Sequence, residues 1–583
     1  MRNLISSVRR PFGRMPLTVF HHPAYRLPLI GLEHSLGIEA RRADFAVWVL
    51  QEWKALRQEQ IRSSRTASYE ELQMVHTPDY LDSLSDPRVL ARIFGVEPSD
   101  IPVDEVLYTT RVACGGTVDA AKEALSRASP ILNTLGGFHH AAPARGSGFC
   151  PVNDIAVAIA VLRKNGFQER VVVLDLDAHP PDGTVECLRG DPLTWIGSLS
   201  GSHWGDFAGP VDETVLPVGC KDAEYLAALE SLLSRMPVCG LAFVMAGGDV
   251  LAEDRYGQLA LTLDGARMRD ARVFGALRGK ASVWLPGGGY QLRAWQVLTG
   301  TGLVLAGRPT AHIPPGYDPL SAEFGRIART IDRRSLDWDS LINQEDIDDT
   351  LARKPASNPA LFGLYTKTGL EYALFRYGLS SHVQRLGYSN PRVELETEEG
   401  GGRIRLLGDA QGQSYVLVEL VLERKSLAQR DVLFVNWLAL RHPLTRFSTS
   451  RPRLPGQDVP GLGSAREVAE LLALMAKRLG LDGVAFQPSW YHMAYAARYR
   501  ARFVDPKRQG RFEALVRDLR GVPLLAATTA VEEGRVKLNG QPYRWEPDPM
   551  VIWLNGAPFD EAIASDERER SSFAIESGSS SGG

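Results

Sequence analysis

Three ionisable residues, Asp175, Asp177 and His179, stand at alternate positions where the apolar run VVVLDL ends. Side chains on a strand repeat every two residues, so all three share one face if the strand continues to residue 179. Burying unpaired carboxylates is costly, and a divalent cation that binds two of the three groups would remove that cost. The alternative is that these residues lie just past the sheet and are solvated.

Three further segments carry groups that could join such a site. LGGFHHAAPARGSGFCPVND holds the tandem histidines His139 and His140, AGGDVLAED holds Asp249, and LPGGGYQ holds Tyr290. Taken alone, a pair of histidines or a GGGY segment is ordinarily a surface loop. Their occurrence at predicted strand ends in one α/β region predicts a single site at the carboxyl edge of a sheet.

The order of these motifs resembles the histone deacetylase superfamily over about residues 16–310. The shared pattern is GGxHH, GFCxxND, DxDxH, a Gly-Gly-Asp strand end and GGGY. Four longer segments are similar to the class IV branch of that superfamily and to bacterial relatives: YRLPLIGLEH, DLDAH, GGDVLAEDRYGQLALTLDG and GGGYQLRAW. The resemblance implies an α/β fold, an arginase/deacetylase-type doubly wound, mostly parallel sheet, with metal-dependent amidohydrolase activity. Arginase-like chemistry needs a second metal, and Pro181 and Leu251 stand where its additional ligands would be.

The resemblance also implies roles for individual residues. Asp177, His179 and Asp249 would hold Zn²⁺, with Fe²⁺ as the alternative metal. His140 would be the general base and then the acid that protonates the leaving amine, with His139 as its electrostatic partner. Asp175 and Asp182 would orient the two imidazoles, and Tyr290 would donate to the oxyanion. Gly148, Phe149 and Trp204 would line the substrate channel. A monovalent cation such as K⁺ would bind near Asp175 and Ser198.

Two departures from the family pattern affect these expectations. Pro180 and Pro181 stiffen the loop before Asp182 and remove two backbone donors, so they could displace Asp182 from its histidine. Tyr256 stands where relatives often carry Leu, near the expected mouth of the pocket, and this leaves the choice of substrate open.

Composition narrows the class of protein. The 583 residues include 66 Lys and Arg against 69 Asp and Glu, which is not the charge pattern of a nucleic-acid-binding protein. No apolar stretch reaches the roughly 18 residues of a membrane span. Five cysteines without a C-x-x-C pair predict reduced, mostly buried thiols and a cytoplasmic location.

Changes in composition predict five segments. Residues 1–15 are expected to form a disordered arm, 16–315 the catalytic domain, 316–345 a polar connector, 346–560 a C-terminal α+β accessory domain, and 561–583 a flexible tail. Within the accessory domain, QSYVLVELVLERKSL and RDVLFVNWLAL predict strands, and SAREVAELLALMAKRLG predicts a helix that begins with a capping box of Ser464 and Glu467.

The accessory domain is similar, over a short stretch, to the core of GNAT acetyltransferases. That likeness implies that Gly461, Gly463 and Ala465 form a turn whose amides hold the pyrophosphate of acetyl-CoA, and that Tyr499 lies near the thioester. Asp458 stands where that family prefers Arg or Gln, and an acid there opposes a pyrophosphate. The alternative is an α/β accessory domain in which the glycine turn only begins a helix.

Three functions are compatible with these residues. The first is a zinc-dependent deacylase of N-acyl-lysine, carrying an acetyl or a longer acyl group. The second keeps the chemistry but takes a small acylated amine such as an acetylpolyamine, which an acidic rim residue such as Glu253 or Asp254 would favour. The third is a non-catalytic acyl-lysine-binding protein, and the complete set of site residues argues against it. The expected partner is an acylated protein or a small acylated amine, without nucleic acid or membrane; oligomeric state is left open.

Overall fold

A computed structural model describes residues 17–29, 38–337, 360–449, 451–556 and 559–576. The chain divides into two compact units, Met1–Pro319 and Leu320–Gly583. The predicted arm at 1–15 lies outside the described residues. Across the described part of the chain, no helix combines the length and the apolar character needed to cross a membrane.

The first unit is built on an eight-stranded parallel sheet. The strand order is β2-β1-β3-β8-β7-β4-β5-β6, and every adjacent pair is parallel. The strands are β1 Thr18–His21, β2 Ile61–Ser63, β3 Pro130–Asn133, β4 Val171–Asp175, β5 Thr194–Ser200, β6 Asp212–Val215, β7 Leu241–Met245 and β8 Ala281–Leu285.

Helices connect these strands. They are α1 Arg42–Glu52, α2 Tyr69–Leu72, α3 Pro78–Ser83, α4 Pro87–Phe94, α5 Val103–Arg127, α6 Asp154–Lys164, α7 Asp182–Leu188, α8 Asp222–Arg235, α9 Leu263–Ala276 and α10 Ala294–Leu305. Short 3₁₀ turns cover Pro23–Tyr25, Gln58–Gln60 and Pro98–Asp100. Helix α6 begins after Asn153, whose side chain caps the helix by accepting a hydrogen bond from the Ala156 amide.

The central strand β4 is buried on both faces, which explains its uninterrupted apolar sequence. Val171 and Val173 belong to one hydrophobic core, whereas Val172 and Leu174 belong to a second core. The strand therefore ends at the boundary of two packed layers, and its carboxyl end is held from both sides.

The second unit contains a seven-stranded sheet and a small three-stranded sheet, with the orders β14-β17-β13-β12-β11-β10-β9 and β16-β15-β18. The strands are β9 Ser389–Glu398, β10 Gly401–Ala410, β11 Gln413–Leu427, β12 Arg430–Leu440, β13 Gly483–Phe486, β14 Arg502–Phe503, β15 Val536–Leu538, β16 Gln541–Pro542, β17 Met550–Trp553 and β18 Phe573–Ile575. The helices are α11 Pro319–Ala328, α12 Arg333–Leu336, α13 Lys367–Arg376, α14 Leu379–Arg385, α15 Ala465–Arg478, α16 Tyr491–Ala497, α17 Pro506–Asp518, α18 Leu524–Glu532 and α19 Glu561–Arg570.

The structure differs from the sequence-based expectations at both ends of this unit. The segment predicted as a polar connector, 316–345, contains α11 and α12 in its described part, and its remainder lies outside the described residues. The predicted flexible tail, 561–583, begins with α19 and then pairs β18 with β15. Helix α19 was predicted as flexible because its charged residues are typical of a solvated segment. One of its residues, Ala564, is nevertheless buried. Residues 577–583 lie outside the described residues.

The predicted capping box at Ser464 is wrong. Ser464 is the residue before α15, but its side chain accepts no capping hydrogen bond. Its backbone, at φ −120° and ψ 22°, departs from the extended conformation that brings an N-cap hydroxyl to the first-turn amides. The hydroxyl is instead buried, without a hydrogen-bond partner in the described part of the chain.

Candidate active site

The candidate site lies where β4, β7 and β8 end. Strand β4 stops at Asp175, so the condition under which the three side chains would share one face of a strand is not met. Asp177 and His179 belong to the loop that follows, and Asp249 belongs to the loop after β7. Ligand atoms of Asp177, His179 and Asp249 nevertheless all lie within 4.8 Å of one another.

Close contacts hold this cluster together. The His179 Nδ1 atom lies 2.9 Å from Asp249 Oδ2 and 3.2 Å from Asp177 Oδ1. The backbone amide of Ala178 donates to Asp249 Oδ1 at 3.1 Å, and that of Gly288 donates to Asp177 Oδ2 at 2.6 Å. Both carboxylates have no exposed surface, so their negative charges are not stabilised by solvent.

The cluster fits a divalent cation. Burial, together with the negative charge of Asp177, raises the pKa of Asp249 to about 8. A cation between the carboxylates would offset that repulsion, and one imidazole nitrogen with two carboxylates is a donor set that suits Zn²⁺ or Fe²⁺. Gly288 keeps the space open, because a Cβ atom at that position would lie 2.5 Å from Asp249 Oδ2.

The tandem histidines lie beside this cluster, and each contacts its own carboxylate. His139 Nδ1 is 3.0 Å from Asp175 Oδ2, and His140 Nδ1 is 2.7 Å from Asp182 Oδ1. The two rings are 3.9 Å apart. Pro180 and Pro181 do not displace Asp182, which is the first residue of α7.

The two histidines have opposite protonation preferences. Burial disfavours the charged form of His139, but the nearby Asp175 and Asp177 carboxylates outweigh it and raise its pKa to about 9. Burial, reinforced by the charge of His139, lowers the pKa of His140 to about 4. The pair therefore combines one positively charged imidazole with one neutral imidazole that can accept a proton.

Aromatic rings line the approach to the cluster. The Trp204 ring stacks on His140 with centroids 4.7 Å apart, and Phe149 lies 5.0 Å from Tyr290. Tyr256 meets Tyr290 edge-on at 5.2 Å. Gly148 is required where it is, because its φ is +53° and a Cβ atom there would collide with the His140 ring.

Ser198 lies beside Asp175 in the sheet. The two residues are paired in the register of β4 and β5. The Ser198 side chain is fully buried, and among the described residues its hydroxyl has no hydrogen-bond partner. Binding of a monovalent cation near Asp175 and Ser198 stays a prediction.

Several supporting residues were not found by the sequence analysis. The fully buried Arg269 donates to the carbonyl oxygens of Leu176 at 3.2 Å and Gly247 at 2.8 Å, and so holds the chain just before two proposed metal ligands. Asp154 accepts from the amides of Gly137 and Phe138 and fixes the loop before His139. In the sequence, Asp154 is the last residue of GFCPVND, and Arg269 is one of several arginines that follow GQLALTLDG. Neither residue indicates a supporting role when its sequence is taken alone.

Residues 38–301 match the model of the histone deacetylase domain. Histone deacetylase 2 of Arabidopsis thaliana is 31% identical over 299 residues, covering 48% of this chain and 76% of the relative. The chain belongs to the histone deacetylase family.

Two other similarities accompany this match. An uncharacterized protein of Picosynechococcus sp. is 32% identical over 294 residues, which cover 47% of this chain and 93% of that protein. The crystal structure of an HDAC homolog from Aquifex aeolicus has a TM-score of 0.45 at 23% identity, over 62% of this chain and 99% of that chain. The histone deacetylase match lies within the first unit and contains every residue of the candidate site described above. As a family member, the chain is a hydrolase that acts on amide bonds.

Proposed function

We propose that this protein is a zinc-dependent deacylase that hydrolyses the amide of N-acyl-lysine. The observation that carries the proposal is the convergence of Asp177, His179 and Asp249 next to one neutral and one charged histidine. Groups with separated pKa values in one buried site are the usual arrangement for acid and base catalysis. Fe²⁺ suits the same ligands.

The residues around the cluster would each have a separate role in amide hydrolysis. A divalent cation held by Asp177, His179 and Asp249 would polarise the substrate carbonyl and make a water molecule more acidic. His140 would take the proton from that water through Nε2, since its Nδ1 is engaged by Asp182. It would then pass the proton to the leaving amine, with His139 beside it as its electrostatic partner.

Tyr290 would stabilise that charge directly. Burial, with the Asp177 and Asp249 carboxylates, raises its pKa well above the ordinary value, so the hydroxyl keeps its proton. A protonated hydroxyl can donate to the carbonyl oxygen as that atom becomes an oxyanion. Phe149 and Trp204 would pack against the aliphatic stem of the acyl-lysine and exclude water from the reacting bond.

The rim contacts disfavour a small cationic substrate. Asp254, one of the two acidic residues considered as a selector for polyamines, has its carboxylate occupied by three backbone amides. Glu253 is paired with Arg293 at 3.2 Å. Both carboxylates therefore already have partners within the protein, which supports acyl-lysine over acetylpolyamines. A purely binding role is disfavoured because metal ligands, base and oxyanion donor are all present.

A substrate panel tests the proposal. Zinc-loaded full-length protein would be assayed with acetyl-lysine peptides, longer acyl-lysine peptides and acetylpolyamines, and the released amine measured. We expect turnover of at least one acyl-lysine peptide, with lower kcat/KM for every polyamine. Higher kcat/KM for a polyamine would favour the small-amine alternative, and no turnover of any substrate by a metal-loaded chain would contradict the proposed function.

For the second unit we propose a GNAT-like fold that positions substrates or partners. The supporting observation is its sheet, in which β9 to β12 are antiparallel neighbours, β12 and β13 are parallel, and α15 connects that parallel pair. The Gly461–Ala465 turn precedes α15 and contains the buried hydroxyl of Ser464. Tyr499 is 77% exposed, so it is not enclosed in a pocket beside a thioester. Acetyl-CoA binding at this turn is expected to be weak or absent.

We also propose a cytoplasmic location. The support is that all five cysteines are free thiols, four of them buried and Cys187 half-buried. Proteins of oxidising compartments more often pair their cysteines.

A further inference from the structure

The backbone that carries Tyr290 has little stiffness of its own. Tyr290 follows three glycines, of which Gly287 and Gly289 have φ of +52° and +142°. Glycine reaches these conformations without steric cost, and for the same reason it does not restrict the chain to one of them. Something outside this segment must therefore fix the direction in which Tyr290 leaves the loop.

Arg42 holds the glycines by donating to the carbonyl oxygens of Gly287 at 2.7 Å and Gly288 at 3.2 Å, and one carboxylate holds Tyr290 itself. Asp254 Oδ2 accepts a hydrogen bond from the Tyr290 amide at 2.6 Å. Its other oxygen, Oδ1, accepts from the amides of Tyr256 at 3.0 Å and Gly257 at 3.1 Å. Asp254 is itself anchored, because its own amide donates to the Leu251 carbonyl oxygen at 3.0 Å. Hydrogen bonds from amides to an ionised acceptor are short and about twice as strong as those between neutral groups.

These bonds join two loops that both begin at the candidate metal cluster. The loop containing Asp254 follows Asp249, and the loop containing Tyr290 includes Gly288, whose amide donates to Asp177. The side chains of Tyr256 and Tyr290 also meet edge-on across this link. The arrangement connects the hydroxyl donor at the bottom of the channel with an exposed ring at its rim.

We propose that Asp254 is a positioning residue that fixes Tyr290 for oxyanion donation and couples it to Tyr256 at the rim. The inference rests on the proposed function, in which Tyr290 donates to the oxyanion. It predicts a loss of kcat, because a donor displaced by about 1 Å can lose as much as a hundredfold in rate. Substrate binding should be nearly unaffected, because the hydrogen bonds of the Asp254 carboxylate are to backbone amides of Tyr256, Gly257 and Tyr290.

The test is a double-mutant cycle in the zinc-loaded full-length protein. Asp254→Asn keeps the shape of the side chain but replaces one acceptor with an NH₂ donor, which cannot accept the amide hydrogen. We expect kcat to fall about ten- to a hundredfold with KM within about threefold and metal content unchanged. In a Tyr290→Phe background the same substitution should cost less than about twofold, because the donor it positions is already gone.

The control is Asp264→Asn, which alters a carboxylate that is 66% exposed and pairs with His312 away from the two loops. It should leave kcat and metal content at wild-type values. Asp254→Ser, which retains a short acceptor, provides an intermediate variant if the Asn protein is poorly folded. Equal losses of kcat in the wild-type and Tyr290→Phe backgrounds, or loss of metal, would overturn the inference in favour of a merely structural role.

Hydrogen exchange separates this inference from the proposed function. Amides of a peptide that covers residues 286–293 should exchange faster in Asp254→Asn, whereas those of 171–176 should not change. Unchanged exchange at 286–293 would overturn the inference even in an active enzyme. If the wild-type chain hydrolyses no substrate but exchange at 286–293 is still faster in Asp254→Asn, the proposed function is refuted and the link between Asp254 and Tyr290 is still supported.

Discussion

Two regions of the molecule place polar groups near a strand end and a helix start. They are the carboxyl edge of the first sheet and the Gly461–Ala465 turn of the second unit, and their polar groups are stabilised differently. At the first sheet the buried groups are ionisable and contact one another, as in the pairs His139–Asp175 and His140–Asp182. At the turn, the buried Ser464 hydroxyl has no hydrogen-bond partner among the residues that the structure describes, and Asp458 is 88% exposed and lies 3.8 Å from Arg453.

The difference indicates how much chemistry each place can perform. Buried charges in contact shift each other's pKa values, and these shifts make one histidine a base and leave two carboxylates in need of a cation. The turn offers only backbone amides and one hydroxyl, which can hold an anion but cannot transfer a proton. We therefore expect the first unit to carry the reaction.

The largest expected effect is the loss of the metal cluster. Asp249→Ala should abolish hydrolysis and metal binding together, because Asp177 and His179 alone are too few ligands to hold zinc well. Metal content of the purified variant and hydrolysis of an acetyl-lysine peptide measure both. Asp82→Ala, at an exposed carboxylate of the same unit, is the matched control. Full metal content in Asp249→Ala would refute the ligand assignment.

The next effect concerns proton transfer and oxyanion donation. His140→Ala and Tyr290→Phe should each reduce kcat about a hundredfold or more while metal content stays at the wild-type value. The reason is that both side chains act on the substrate and neither belongs to the ligand cluster. Steady-state kinetics alongside metal analysis checks this. Either variant retaining most of its turnover would require a different mechanism.

A smaller effect concerns the pH dependence of stability that is expected from His76, a buried histidine outside the metal cluster. The buried His76 receives a hydrogen bond from the Asn153 amide at 2.9 Å and contacts the Ala142 carbonyl oxygen at 3.0 Å, and burial lowers its pKa to about 4. The folded state therefore favours neutral His76. Its contribution to stability, about 3 kcal/mol, is complete above pH 6.5 and is lost as the pH falls from 6.5 towards 4.

Chemical denaturation at pH 7.5 and pH 4.5 measures this contribution. Wild type should lose more free energy of unfolding over that interval than His76→Gln, which has no group that titrates there. His312→Gln alters a histidine that is 67% exposed and should follow the wild-type pH dependence. Identical pH dependence in wild type and His76→Gln would show that the buried histidine is not the group that titrates.

The smallest effect concerns the turn of the second unit. Calorimetric titration of the full-length protein with acetyl-CoA should give weak or no binding, because the carboxylate of Asp458 opposes a phosphate. Asp458→Asn should raise any measurable affinity, whereas Asp431→Asn, on β12, should not. Micromolar binding by wild type would remove the contrast between the two regions and favour an enzyme that both adds and removes acyl groups.

The sequence predicted the chemistry of the site better than its geometry. Rare residue types at strand ends identified the cluster, because Asp, His and Tyr are seldom placed next to buried strands without a role. Alternation along a strand does not explain how Asp177 and His179 meet, since β4 ends at Asp175 and a loop brings them together. Arg269 and Asp254 were missed as supports because they bind backbone atoms, and backbone donors and acceptors leave no mark in a sequence.

The accessory domain was predicted unevenly for a related reason. Strands β11 and β12 and helix α15 were found because alternation and helical periodicity are local properties. Helix α19 was taken for part of a flexible tail because ERER and its neighbours give no apolar stripe. The contacts that order it, such as the pairing of β18 with β15, involve residues about 35 positions away and cannot be read locally.

The position of β4 between two cores has a thermodynamic consequence. The strand packs into both hydrophobic clusters and leads directly into a loop that carries two of the proposed ligands. Unfolding of either core would separate those ligands, so an ion that binds only the folded unit must raise the free energy of unfolding. At an ion concentration about 1,000 times its Kd the gain is about 4 kcal/mol. Such a gain raises the melting temperature, so chelation should make the first unit less heat-stable even when no substrate is present.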